Sequence, residues 1–161
     1  MSLLRTARGS RNLAIAALLC GTAWMGARPA QAAVDVDVRA GFYVDAEAFG
    51  VGAGLLSPLG SSHHWFFNPN LEVAFGDNAN LVLLNGDVHY DFAGNSKMSM
   101  WIGAGPALLM TDPDGGDSDT NLGLNVFTGI TGTGGSVRPF AQLKGVVSDN
   151  SEVVLQGGVR F

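Results

Sequence analysis

A lone cysteine, Cys20, is the only thiol in the 161 residues, so no intramolecular disulfide can form and no cysteine cluster is available for metal or redox chemistry. Basic residues are scarce as well. Nine Lys and Arg face fourteen Asp and Glu, and four of the nine (Arg5, Arg8, Arg11, Arg28) crowd into the first 28 residues. From residue 33 onward five cations oppose all fourteen carboxylates, a formal charge of −9 that repels nucleic acid and anionic head groups. No nucleic-acid partner is expected. Helical periodicity is missing beyond a few residues, and no apolar run reaches the roughly 20 residues of a membrane-spanning helix.

What is present divides into two parts. Met1 to Ala33 has the layout of an export signal: Arg5, Arg8 and Arg11, then the apolar stretch Leu13 to Ala27, then Ala30-Gln31-Ala32, a small-x-small cleavage pattern. Residues 1–32 are therefore expected to be a signal peptide cut after Ala32 or Ala33, taking Cys20 with it. A lipoprotein acceptor at Cys20 is the rival reading, but Leu19 is too large for the position before it. Residues 33–161 then form one domain.

That domain reads as a series of runs alternating with a period of two, each closed by a polar or glycine-containing break. Eight runs are expected: Val34–Val44, Glu47–Leu56, His64–Phe75, Asn80–Phe92, Lys97–Met110, Asn121–Thr131, Ser136–Val147 and Ser151–Phe161. Each matches the 9–11 or so residues of a tilted transmembrane β-strand. The longest break, the acidic Thr111–Thr120, should join strands five and six on the outer side, while Ser57–His63 is long for an inner turn. Within the runs one parity is apolar. Val34, Val36, Val38, Ala40, Phe42 and Val44 alternate with Asp35, Asp37, Arg39, Gly41 and Tyr43, and the last run alternates up to Phe161 with Val154 as its one exception. Arg39, Glu72, Asp87, Asp91, Arg138, Lys144, Glu152 and Arg160 all fall on the polar parity.

Alternation alone does not say which face is inside. A soluble lipocalin-like barrel buries its apolar parity around a ligand, whereas an outer-membrane barrel turns that parity to lipid and packs charges within. The glycine row Gly50, Gly52, Gly54 beside Ala48 leaves interior room for long charged side chains and favours the membrane arrangement. Trp65, Phe66, Phe67, Tyr90, Phe92, Trp101 and Phe161 are expected to gather near the rims as an interfacial aromatic belt.

Several segments carry a family resemblance: Phe67-Asn68-Pro69-Asn70-Leu71-Glu72, Asn85-Gly86-Asp87-Val88-His89-Tyr90-Asp91-Phe92, Ile102-Gly103-Ala104-Gly105-Pro106-Ala107 and the closing Gly157-Gly158-Val159-Arg160-Phe161. Together with the leader, they make the chain resemble the small eight-stranded outer-membrane β-barrels, such as the OmpA transmembrane domain and OmpX. The resemblance implies an antiparallel up-and-down barrel in the outer membrane of a Gram-negative bacterium, with both termini periplasmic. It implies lipid and lipopolysaccharide as surroundings, Phe161 as the signal read by the barrel-assembly machinery, and a monomer. No peptidoglycan-binding domain is expected after Phe161, in contrast to full-length OmpA.

Eight strands enclose a lumen that side chains just fill. The eight polar-parity charges are therefore expected to form a self-neutralising lumen network rather than an ion path. His89 between Asp87 and Asp91 has acid–base groups on one face, yet the His-x-Ser pattern of lipid A deacylases built on this barrel is absent: the chain reads His89-Tyr90-Asp91. Asp112, Asp114, Asp117 and Asp119 form the one Ca²⁺ candidate, but Gly116 and Asp117 stand where an EF-hand puts its fifth ligand and its glycine, and no glutamate closes the loop. No cofactor and no catalysis are expected. The function expected is a structural or surface-interaction role with at most slight permeability. The alternatives are a soluble exported ligand-binding barrel and a lipid A-modifying enzyme.

Overall fold

The structure is a computed structural model that describes residues 34–62, 64–77, 79–92, 97–113, 117–149 and 151–161. The expected signal peptide lies outside the described residues. Eight strands follow one another: β1 (Asp35–Tyr43), β2 (Ala48–Leu59), β3 (Trp65–Phe75), β4 (Ala79–Phe92), β5 (Met98–Pro113), β6 (Asp119–Gly132), β7 (Arg138–Val147) and β8 (Glu152–Arg160). Each pairs antiparallel with its sequence neighbour, and β1 closes on β8 from Asp37↔Arg160 to Tyr43↔Val154. Closure leaves every central strand paired on both sides, which is what an all-β wall needs in lipid, where no water satisfies a bare backbone.

The burial pattern settles which parity is inside. On β1, Asp37, Arg39 and Tyr43 are buried, while Val36, Val38 and Phe42 are each more than 40% exposed. The same inversion runs round the barrel, with Phe49, Phe75, Ile102, Leu124, Leu143 and Leu155 outside and Glu72, Asp87, Lys144 and Arg160 within. A soluble ligand barrel would show the opposite, so that alternative falls. Val154, the exception in the last run, is fully buried on the inner parity and packs with Tyr43, Leu83 and Val146.

The glycine row explains why the charges fit. A Cβ on Gly52 would stand 2.7 Å from Cγ of Glu72 and 3.3 Å from Cγ of Arg39, and one on Gly54 would stand 2.9 Å from Oδ2 of Asp37. Those positions are lumen volume ceded by β2 to the side chains of β1 and β3.

Two expectations need correction. The acidic break Thr111–Thr120 is mostly strand: β5 runs to Pro113 and β6 starts at Asp119, so the connection shrinks to 114–118. The other connections at that end, 44–47, 76–78 and 148–151, are no longer than 60–64, 93–97 and 133–137 at the terminal end, where β1 begins and β8 finishes. The aromatic belt is also thinner than expected. Trp101 is fully buried in the lumen and Phe66 stacks on the buried His89, so both leave the rim, while Trp65, Tyr90 and Phe92 remain together on the outside.

Candidate functional site: a three-layered lumen

The lumen is built in three layers along the barrel axis. At mid-height the buried Glu72 of β3 is a hub. Its Oε2 accepts from Tyr43 Oη at 2.5 Å and from Lys144 Nζ at 2.6 Å, and its Oε1 lies 3.4 Å from Arg39 Nη1. Arg39 also donates to Asp37 from Nε (2.8 Å) and Nη2 (2.5 Å), and to Asn68 Oδ1 at 2.9 Å. A carboxylate and an ammonium out of water are tolerable only when each has its partner and its hydrogen bonds. Here strands β1, β3 and β7 each supply part of that set.

A ladder of amides continues the layer around the wall. Asn68 Nδ2 donates to Asp37 Oδ2 (2.8 Å) and Asn85 Nδ2 to Asn70 Oδ1 (2.7 Å). Asn70 and Asn125 each donate to one oxygen of Asp87, at 2.9 and 2.8 Å. Asp87 is thus held by neutral donors rather than by a cation. Asn68 also repairs the wall: Pro69 beside it has no N–H, and Asn68 Nδ2 donates to the Leu55 carbonyl across the β2–β3 seam (3.0 Å). Asp37, Tyr43, Asn68, Asn70, Asn85 and Asn125 were not singled out from sequence. Their common signal is inward parity, which charge-counting overlooks in the five neutral side chains; Asp37 carried both signals, charge and inward parity.

The remaining expected members of the charge network sit elsewhere, so the eight residues do not form one set. Toward the terminal end, Arg160 lies over the rings of Trp101 and Phe140, at 4.3 and 5.1 Å from their centroids. Asp91 Oδ1 is 3.2 Å from Nε2 of His89, whose ring is enclosed by Phe66, Trp101 and Phe127. Arg138 pairs with Asp35 at the mouth. At the opposite end Glu152 accepts the backbone N–H groups of Asp45 (2.8 Å) and Ala46 (3.0 Å), while Asp45 accepts the N–H of Val153 (3.1 Å). Glu152 therefore caps the β1–β2 turn, where Glu47 takes a φ of +47°.

An apolar layer and a mixed aromatic and polar layer lie on the two sides of the central network. Leu81, Leu83, Ala107, Leu109, Val146 and Val154 fill the lumen toward the hairpin end; toward the terminal end Trp101, Phe127 and Phe140 are interleaved with the buried Arg160, His89, Gln142 and Gln156, Trp101 Nε1 donating to Gln142 Oε1 at 3.3 Å and Gln142 Nε2 to Gln156 Oε1 at 2.9 Å. In the acidic connection, Asp112 accepts from Ser118 Oγ and Asp119 accepts from the Thr120 N–H and the Asn121 amide; Asp114 lies outside the described residues. Among the described residues, no group of three or more His, Cys, Asp or Glu is placed to hold a metal ion.

No protein-family model and no curated protein matches the chain. Solved structures do match. Neisserial surface protein A superposes with a TM-score of 0.63 at 20% identity, covering 79% of this chain and 94% of that one. The N-terminal β-barrel domain of Pseudomonas aeruginosa OprF gives 0.62 at 18%, covering 80% and 95%. The attachment invasion locus protein Ail of Yersinia pestis gives 0.51 at 14%, covering 80% and 96%. All three are eight-stranded outer-membrane β-barrels. The chain has that fold: it is a membrane β-barrel of the small, eight-stranded, outer-membrane type.

Proposed function

We propose that the protein is a non-enzymatic, non-conducting outer-membrane barrel, monomeric and surrounded by lipid and lipopolysaccharide, whose role is structural with a limited surface contact. The observation that carries this reading is the layered lumen. A hydrated ion needs a continuous polar path, and here the apolar layer of Leu81, Leu83, Leu109, Val146 and Val154 closes the hairpin end of the lumen. His89, the one lumen histidine among the described residues, is walled in by aromatic rings rather than turned to the lipid surface, which disfavours lipid A modification. The short connections at the hairpin end favour a structural role over adhesion by long loops. The start of β1 and Phe161 share one end of the barrel, which this reading assigns to the periplasm, with Phe161 as the assembly signal.

The test is single-channel recording of the purified barrel in planar bilayers, beside the same protein carrying Leu83→Ala and Leu109→Ala. Silence in the native protein with steps in the double variant is the expected result. Steady conductance in the native protein would refute the closed lumen. Recovery with the outer membrane, and a gel shift between unheated and boiled samples, test the location.

A further inference from the structure

The register of β6 leaves a short stretch of sheet edge open. β6 begins at Asp119, but its pairing with β7 ends at Leu124↔Val147, so residues 119–123 are paired with β5 alone. Ser148, the residue after β7, still stands against Gly123, where an added Cβ would lie 3.3 Å from its Cβ, so the open stretch is 119–122, roughly 14 Å at about 3.4 Å per residue. Direction follows from the other end of the same ladder. Thr133 N–H donates to the Lys97 carbonyl on the β5 side, and the register is continuous from there to Thr111↔Asp119. Odd-numbered residues of β6 therefore bond to β5, and the N–H and C=O of Thr120 and Leu122 point to the open side.

Two features set what that edge accepts. The Thr120 N–H is already taken by the side chain of its neighbour, Asp119 Oδ1, at 2.9 Å, and Asp119 is itself steadied by the Asn121 amide at 2.8 Å. Leu122 stands beside it 81% exposed. Among the described residues every charged side chain at this end is acidic: Asp45, Glu47, Asp77, Asp112, Asp117, Asp119, Asp149 and Glu152, with no Lys, Arg or His. An incoming neutral or acidic strand, including the same edge of a second copy, meets a carboxylate already seated on the donor it needs. A strand carrying Lys or Arg opposite Asp119 pairs with that carboxylate, draws it off the Thr120 N–H and opens the ladder.

We propose that residues 119–122 form a charge-selective strand-docking edge, whose partner is an extended peptide segment with cationic residues facing Asp119 and an apolar one against Leu122. Asp119 is a guard that excludes self-pairing and admits cationic strands. This names the surface contact of the reading above, but it depends on the edge and not on whether the lumen conducts.

The experiment uses the purified barrel in detergent micelles or nanodiscs, with an acetylated seven-residue peptide of alternating lysine and valine and its glutamate–valine counterpart as probes. Amide resonances of Thr120 and Leu122 should move with the lysine peptide only, with at least tenfold tighter binding than the glutamate peptide. Leu122→Pro removes an N–H that faces the open side, leaves the β5 ladder intact, and should weaken binding tenfold or more. Asp119→Asn keeps an acceptor for the Thr120 N–H without the charge and should erase the preference between the two peptides. A gel shift on heating shows that each variant has folded. Binding that ignores Leu122→Pro would mean diffuse charge attraction and would overturn the proposal. So would no binding at all, or edge-to-edge crosslinking of the native barrel through Leu122→Cys, which would make a second copy the occupant.

Discussion

Glu72→Ala is the substitution that tests the lumen most directly. The carboxylate accepts from Tyr43 and Lys144 and stands beside Arg39. Arg39 keeps Asp37 and Asn68, but Lys144 has no other acceptor for its ammonium among the described residues, and it is fully buried. Truncating one partner of a buried pair strands the other charge and costs about 3–5 kcal/mol. At about 1.4 kcal/mol per decade, that is a loss on the order of 10²- to 10³-fold in the folding equilibrium. Denaturant unfolding in lipid vesicles, followed by far-ultraviolet circular dichroism and by the gel shift on heating, reads the change. The same reasoning makes a second demand. A triple variant, Tyr43→Phe with Glu72→Leu and Lys144→Met, replaces the cluster by apolar groups of similar size, leaves neither a buried hydroxyl nor an ammonium unpaired, and should recover most of the loss. A single variant that loses less than about 1 kcal/mol would mean that water reaches Lys144, and the closed lumen would be wrong.

Two further outcomes follow from local geometry. Gly52→Val puts methyl groups where Glu72 and the Leu71 carbonyl already stand within 2.7 Å, and should cost about 1–3 kcal/mol or more, whereas Gly86→Ala, whose new contacts begin at 3.6 Å, should stay within about 1 kcal/mol in the same unfolding assay; equal effects would refute the claim that β2 cedes lumen volume. Glu152→Ala removes the acceptor of two turn N–H groups and should cost about 1–3 kcal/mol while speeding hydrogen exchange at Asp45 and Ala46; unchanged exchange there would show that the cap does not hold the turn.

The correspondence between sequence and structure is uneven in an instructive way. Eight alternating runs, their approximate limits and the polar parity of Arg39, Glu72, Asp87, Lys144 and Arg160 were legible because a strand's side chains alternate whatever surrounds it. The lengths of β5 and β6 were not. Thr111-Asp112-Pro113 and Asp119-Thr120 look like loop by composition, and they are strand because each continues a ladder already in register with its neighbour. Trp101 and Phe66 read as belt residues by type, yet parity turns them inward, and parity outranked residue type wherever the two disagreed.

The chain by itself determined an all-β domain of eight period-two runs of membrane-crossing length and, through the glycine row and the scarcity of cations, favoured a membrane barrel without a nucleic-acid partner; which parity faces inward was decided by the closed structure. Only the closed barrel decided partners. Which of several inward carboxylates meets which cation depends on the stagger between strands far apart in the chain, such as Glu72 on β3 and Lys144 on β7, and local pattern carries no information about that stagger. The same closure set Asp87 among amides, placed Arg160 over Trp101 and Phe140, and made Glu152 a turn cap. It also left the upper edge of β6 bare, because β7 is shorter than the strand it pairs with, and strand length is settled by pairing across the sheet rather than by the residues of one strand.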